Sequence, residues 1–161
     1  MAQEQRTLIL GLGNPILGDD GVGIAIAREI KERWPADPAT DVIEASLAGR
    51  FLLDLITGYQ TVIVADAIIT DEQATAGTVY TLSVDDLGTV VNPYASHALD
   101  LRTTVELGKQ LGYQMPETIR IYAVEIKEHT IFREGLNPEI EAAVLPVAQR
   151  IMRDLGRTVP Q

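Results

Sequence analysis

The sequence contains no cysteine. That excludes disulfides, a thiolate metal centre and a cysteine nucleophile, so any metal site must be built from His, Asp or Glu. Histidine is scarce as well, with two in 161 residues. Aromatic residues make up 5%, so the core must consist mainly of Leu, Ile, Val and Ala. Basic residues number 13 against 23 acidic ones, for a formal net charge of -10. A nucleic-acid partner is excluded on that balance, because a phosphate backbone requires stripes of Lys and Arg. No apolar run approaches the length that spans a bilayer. The N-terminal MAQEQR lacks the apolar stretch of a signal peptide. The expected location is the cytoplasm, with no membrane association.

What is present is the balance of an ordinary globular protein, 46% apolar and 22% charged. The length suits one domain with a full-sized core. No repeat, low-complexity tract or linker interrupts the chain, and residues 1–161 are read as a single domain.

Leu8 to Leu12 is a short apolar run that predicts a buried strand. Asp20 to Trp34 has helical spacing, with Val22, Ile26, Ile30 and Trp34 on one face, and Pro35 and Pro38 stop it. Asp41 to Ala45 predicts a second strand, and Gly49 to Ile56 a short helix closed by Gly58. The strongest strand signal is Thr61 to Ala65, ending at Asp66. Thr78 to Ser83 predicts a strand that follows without an intervening helix, an arrangement that suits an antiparallel member. Asp85 to Tyr94 reads as irregular. A helix is expected from Ser96, as cap, to Leu111, and a strand over Thr118 to Val124. Asn137-Pro138 opens a last helix whose buried face is Ile140, Val144, Val147, Ile151 and Leu155. Arg157 to Gln161 is expected to fray. Alternating strands and helices imply an α/β sandwich with a mostly parallel sheet.

The stretch from Thr7 to Gly23, TLILGLGNPILGDDGVG, joins the first strand to the first helix through glycines. A dinucleotide fold would place G-x-G-x-x-G here. Gly11 and Gly13 fit, the third position is Ile16, and Glu44 imitates the acid that binds a ribose. The missing glycine weakens the close helix–strand packing that the third position permits. The stronger objection is charge. A pyrophosphate seeks the positive end of a helix, and Asp19 and Asp20 already stand there. Asp19 is read as the helix cap and Asp20 as a carboxylate aimed into a cleft. Capping alone accounts equally well for Asp20 when it is taken singly.

In parallel α/β sheets, functional residues gather beyond the carboxyl ends of the strands. Asp20, Asp66 and His97 are expected there. Singly, Asp66 reads as a turn cap and His97 as a surface histidine. Together, two carboxylates and one imidazole form a hard-to-borderline donor set suited to Ni, Zn, Mn or Fe, with coordination positions left open for a substrate. His129, in a polar loop, is expected to be solvated. Glu125, after a strand, is expected on a solvated rim. No serine-hydrolase arrangement is present.

GLGNPILGDDGVG at Gly11–Gly23, VIVADA at Val62–Ala67 and SHALDL at Ser96–Leu101 together resemble the hydrogenase maturation endopeptidases. These are nickel-dependent proteases that trim the large subunit of nickel–iron hydrogenases. The resemblance covers nearly the whole chain. It implies a three-layer α/β sandwich with a five-stranded, mostly parallel sheet between helices. It further implies removal of a C-terminal extension from the large-subunit precursor after nickel insertion, with the nickel carried by the precursor. The family's metal-binding acid at the first helix corresponds to Asp20, its acid at the central strand to Asp66, and its histidine to His97. Where the family has Glu, Asp20 is one methylene shorter. Asp20 and Asp66 are the expected catalytic carboxylates. Whether metal polarisation, an activated water or a carboxylate base drives hydrolysis stays open. Two other classes remain: a dinucleotide-binding oxidoreductase, and a non-catalytic nickel-binding assembly factor.

Overall fold

Apolar residues in the central strands alternate between two buried faces, and this positions everything else. In Thr61–Ile68, Ile63, Ala65 and Ala67 enter one core, while Val62, Val64 and Ile68 enter the other. A strand covered on both sides reads as one continuous apolar run. The computed structural model describes residues 5–46, 50–87 and 97–158, apart from the side chains of residues 50, 51, 97 and 99.

Five strands form one sheet: β1 (Thr7–Leu12), β2 (Thr40–Ala45), β3 (Thr61–Ile68), β4 (Val79–Ser83) and β5 (Thr118–Glu125). Their order is β2-β1-β3-β5-β4. The first four in that order run parallel, and β4 pairs antiparallel with β5, as expected for a strand reached without a helix. Helices α1 (Val22–Arg33) and α4 (Pro138–Asp154) cover one face. Helices α2 (Arg50–Ile56) and α3 (Leu101–Gln110) cover the other. The three-layer α/β sandwich stands as anticipated.

Several boundaries differ from the sequence reading. The first helix begins as a 3₁₀ turn, Gly18–Gly21, before α1. β3 runs on past Ala65 to Ile68, because its pairing with β5 continues to Ile68 opposite Glu125. Asp66 therefore lies inside the strand rather than at its end. The helix expected from Ser96 is a 3₁₀ turn, His97–Asp100, followed by α3. Ser96, Gly49 and most of the stretch read as irregular lie outside the described residues. The start of the tail is tied down rather than frayed. Trp34 Nε1 donates to the Thr158 carbonyl at 3.0 Å, and Arg157 pairs with Asp37 and bonds Thr40 Oγ1 at 3.0 Å. Residues 159–161 lie outside the described residues. Among the described residues, no helix is long and apolar enough to cross a membrane.

Candidate active site

The chain crosses from β1 to β2 on one side and returns to β3 on the other. The carboxyl ends of β1 and β3 are thus adjacent ends from which connections diverge, the position where open α/β sheets form their crevice. Close approach of α1 to these strands sets the geometry. A Cβ on Gly23 would fall 2.2 Å from both the Leu12 and Ala65 carbonyl oxygens, and one on Gly11 would fall 2.4 Å from the Gly23 oxygen. The tight helix–strand contact expected from a third glycine is therefore made by Gly11 and Gly23. Ile16, in the third position, is 49% exposed.

Asp20 is delivered by the turn between them. Gly13 has φ +146°, and any Cβ there would meet the Asp20 carbonyl oxygen at 2.1 Å. The loop folds back on itself through Leu17 N–H to Asn14 O and Asp20 N–H to Leu17 O. The Asn14 N–H then donates to Asp20 Oδ2 at 3.0 Å. Asp20 is 5% exposed, so this bond fixes a nearly buried carboxylate. It also engages a glycine-turn N–H of the kind that a bound pyrophosphate would use.

Asp19 is not the helix cap. Neither the 3₁₀ turn nor α1 has a side-chain cap bond. Its carboxylate instead accepts the Asn137 N–H at 2.7 Å and the Asn137 Nδ2 at 2.8 Å, clamping the start of α4 to the turn that carries Asp20. Asn137 likewise spends its amide on Asp19 and Arg133 rather than on capping α4. Replacing Asp19 with alanine is expected to cost about 1–3 kcal/mol, since two donors in a half-buried setting lose their charged acceptor. Urea unfolding measures it, and a change below about 0.5 kcal/mol would show the clamp to be idle.

Asp66 is fully buried. Its Oδ1 accepts the Ala67 N–H at 2.8 Å and its Oδ2 the Ala98 N–H at 2.9 Å. The second bond ties the 3₁₀ turn that begins at His97 to β3, so the backbone of His97 is held one residue from the Asp66 carboxylate. The His97 imidazole lies outside the described side chains. Among the described side chains, no three of His, Asp and Glu are grouped as metal ligands would be.

Glu125 corrects another expectation, since it is fully buried rather than solvated. It accepts the Thr70 N–H at 3.0 Å and the Thr70 hydroxyl, which folds the loop after β3 over it. No lone residue pattern signals this, because the cover comes from a segment 55 residues away. Glu44 is committed to Arg28 at 2.8 Å and Lys31 at 3.6 Å, so it is not poised as a ribose acid. His129 is half-buried in the loop after β5. A cavity of about 210 Å³ between Ile9, Trp34, Val42 and Met152 lies away from these carboxylates.

Comparison with known proteins adds an independent line. A family model described as hydrogenase maturation protease matches residues 24–154. That stretch holds Asp66 and His97 and begins just after Asp20. The hydrogenase 2 maturation protease of Escherichia coli K12 is 26% identical over 151 residues, spanning 93% of this chain and 90% of its own. The solved hydrogenase maturating endopeptidase HybD of E. coli superposes with a TM-score of 0.80 at 24% identity, over 97% of this chain and 98% of that one. The NiFe hydrogenase maturation protease HybD of Thermococcus kodakarensis superposes with a TM-score of 0.69 at 25% identity, over 94% and 99%.

Proposed function

The chain belongs to the hydrogenase maturation protease family, and from that premise we propose that it removes the C-terminal extension of a nickel–iron hydrogenase large-subunit precursor once nickel is in place. The observation that carries the reading is the pair of buried carboxylates, Asp20 and Asp66, at the crevice between β1 and β3, with the N–H of Ala98, the residue after His97, bonded to Asp66. The nickel arrives with the precursor, as part of the substrate. Asp20, Asp66 and His97 supply oxygen and nitrogen donors of the hardness nickel accepts. Bound nickel would supply Lewis-acid chemistry at the scissile carbonyl or at a water.

The chain's own residues do the rest. Asn14 orients the Asp20 carboxylate, and Ala67 and Ala98 orient that of Asp66. Burial keeps both carboxylates from being swamped by solvent and strengthens their pull on a cation. Asp20, the less buried of the two, is the residue we assign as proton acceptor for the attacking water. Requiring the metal makes cutting a report that insertion is complete.

The test is intact-mass measurement of the precursor after incubation with the protein. Nickel-loaded precursor is expected to lose its extension while nickel-free precursor stays whole. Asp20→Asn and His97→Ala should each slow cutting by about a hundredfold or more. Equal cutting of both precursor forms would remove nickel from the reading. A nickel-loaded precursor that is bound but keeps its length would identify a non-catalytic assembly factor.

A further inference from the structure

Three large apolar side chains stand exposed beside the crevice: Ile16 at 49%, Ile131 at 58% and Phe132 at 79%. They come from two loops far apart in sequence, and the backbone joins those loops. Arg133 N–H donates to the Ile16 carbonyl at 2.9 Å and Gly18 N–H to the Arg133 carbonyl at 2.8 Å, around a parallel bridge between Leu17 and Arg133. One step before that bridge, Ile16 stands opposite Phe132. The bridge makes Ile16 and Phe132 neighbours, Ile131 is the next residue of the same loop, and all three are exposed, so they form one apolar lip.

The lip is held rather than loose. Lys127 Nζ bonds the carbonyls of Asp71 and Glu72 at 3.3 and 3.1 Å at one end of its loop. Thr130 bonds Glu128 through both its N–H and its hydroxyl, each at 2.6 Å. Asp19 clamps Asn137 at the other end. Such fixing removes much of the ordering cost that a loop pays on binding. At the base of the same two loops lies a cleft of about 200 Å³, lined in part by Pro15, Gly18, Ala25 and Leu136, with Arg28 and Glu141 beside them. A convex apolar lip beside a side-chain-sized hollow is the form of a docking surface. Ile16 is four residues from Asp20, on the loop that Asn14 folds back.

We infer that the Ile16–Ile131–Phe132 lip is where the precursor docks, through an apolar segment that lays the scissile bond across the crevice toward Asp20 and Asp66. The inference rests on the proposed processing activity and deepens it. Two observations favour the precursor over a second copy of this chain as occupant. The net charge of -10 makes two copies repel, and the lip is joined by main-chain bonds to the loop that carries Asp20. The second exposed group, Leu107, Leu111 and Tyr113 at the end of α3, has no main-chain bond to that loop among the described residues.

The experiment is steady-state cutting of nickel-loaded precursor by wild type, by Phe132→Ser with Ile131→Ser, and by Phe132→Leu, with binding of the same precursor followed by calorimetry. Both substituted positions are solvent-exposed, so folding is not at stake, and thermal melts verify it. The double variant is expected to raise KM and Kd by roughly tenfold or more, with kcat within about twofold. Phe132→Leu should remain close to wild type. An unchanged KM, or a fall in kcat alone, overturns docking at the lip. A wild-type dimer that the double variant dissolves in sedimentation overturns it in favour of a second copy. If wild type binds without cutting, the processing reading fails while the binding difference still decides the lip. If wild type neither binds nor cuts, both fail.

Discussion

Gly23→Ala lowers the melting temperature by roughly 6–12 °C, the expected result for a loss of about 3 kcal/mol in a chain of this size. In an exposed helix the same change would stabilise by up to about 1 kcal/mol, because alanine favours the helix over glycine. Here the sign reverses. The new Cβ would lie 2.2 Å from the carbonyl oxygens of Leu12 and Ala65, and both belong to the backbone of central strands. Neither can rotate aside, so α1 must lift off the sheet.

Gly108 in α3 is the internal control. Its Cβ would approach Met115 Sδ at 2.4 Å, nominally as tight. That atom lies near the end of a flexible side chain, which can swing away. Gly108→Ala is therefore expected to stay within about 1 kcal/mol of wild type, the helix preference offsetting the repacking. The effect at Gly23 reaches function too. Asp20 sits on the 3₁₀ turn that feeds α1, and a shift near 1 Å in a reacting group can cost about a hundredfold in rate. Thermal melts of the two variants side by side settle the matter. If Gly23→Ala melts within 2 °C of wild type, on the order of 1 kcal/mol or less, the close approach is not what holds α1.

The same glycines show where the sequence is legible and where it is not. The apolar runs of β1 and β3 and the four-residue spacing of Val22, Ile26, Ile30 and Trp34 are local patterns, and all four helix residues are buried. Asp20 and Asp66 were legible as residues at the crevice because an apolar strand that hands over a carboxylate is also a local pattern. What a linear reading misses is pairing over distance. Asp19 looks like a cap because acids commonly begin helices. Its actual partner, Asn137, is 118 residues away. Glu125 looks solvated because it ends a strand, yet Thr70 folds over it. Asp66 looks terminal because the β-rich run stops at Ala65, yet β5 keeps pairing through Ile68. The dinucleotide pattern misleads for a related reason. It counts glycines by spacing, whereas the close contact depends on which glycine faces the strand, and that residue is Gly23.

Asp66 is the position where a large loss of activity and a loss of stability are expected together. Asp66→Asn should abolish cutting of nickel-loaded precursor, by at least about a hundredfold, and also destabilise the fold by about 1–3 kcal/mol. Both follow from the same geometry. One carboxylate oxygen accepts the Ala67 N–H and the other the Ala98 N–H, inside a fully buried site. Asparagine keeps one acceptor and replaces the other with an NH2 group, so one backbone N–H faces a donor. If that is Ala98, the turn beginning at His97 loses its tether as well. Asp66→Ala removes both acceptors and should cost more. A purely structural role and a chemical one separate under stabilising conditions. At low temperature with a protective osmolyte, where circular dichroism shows the asparagine variant fully folded, a structural role predicts that cutting returns. A chemical role predicts that it does not, and that Asp19→Ala, folded to the same extent, cuts within about tenfold of wild type, its carboxylate being spent on Asn137. Recovery of wild-type cutting by folded Asp66→Asn would reduce Asp66 to a brace for the His97 turn and leave Asp20 as the working carboxylate of the pair.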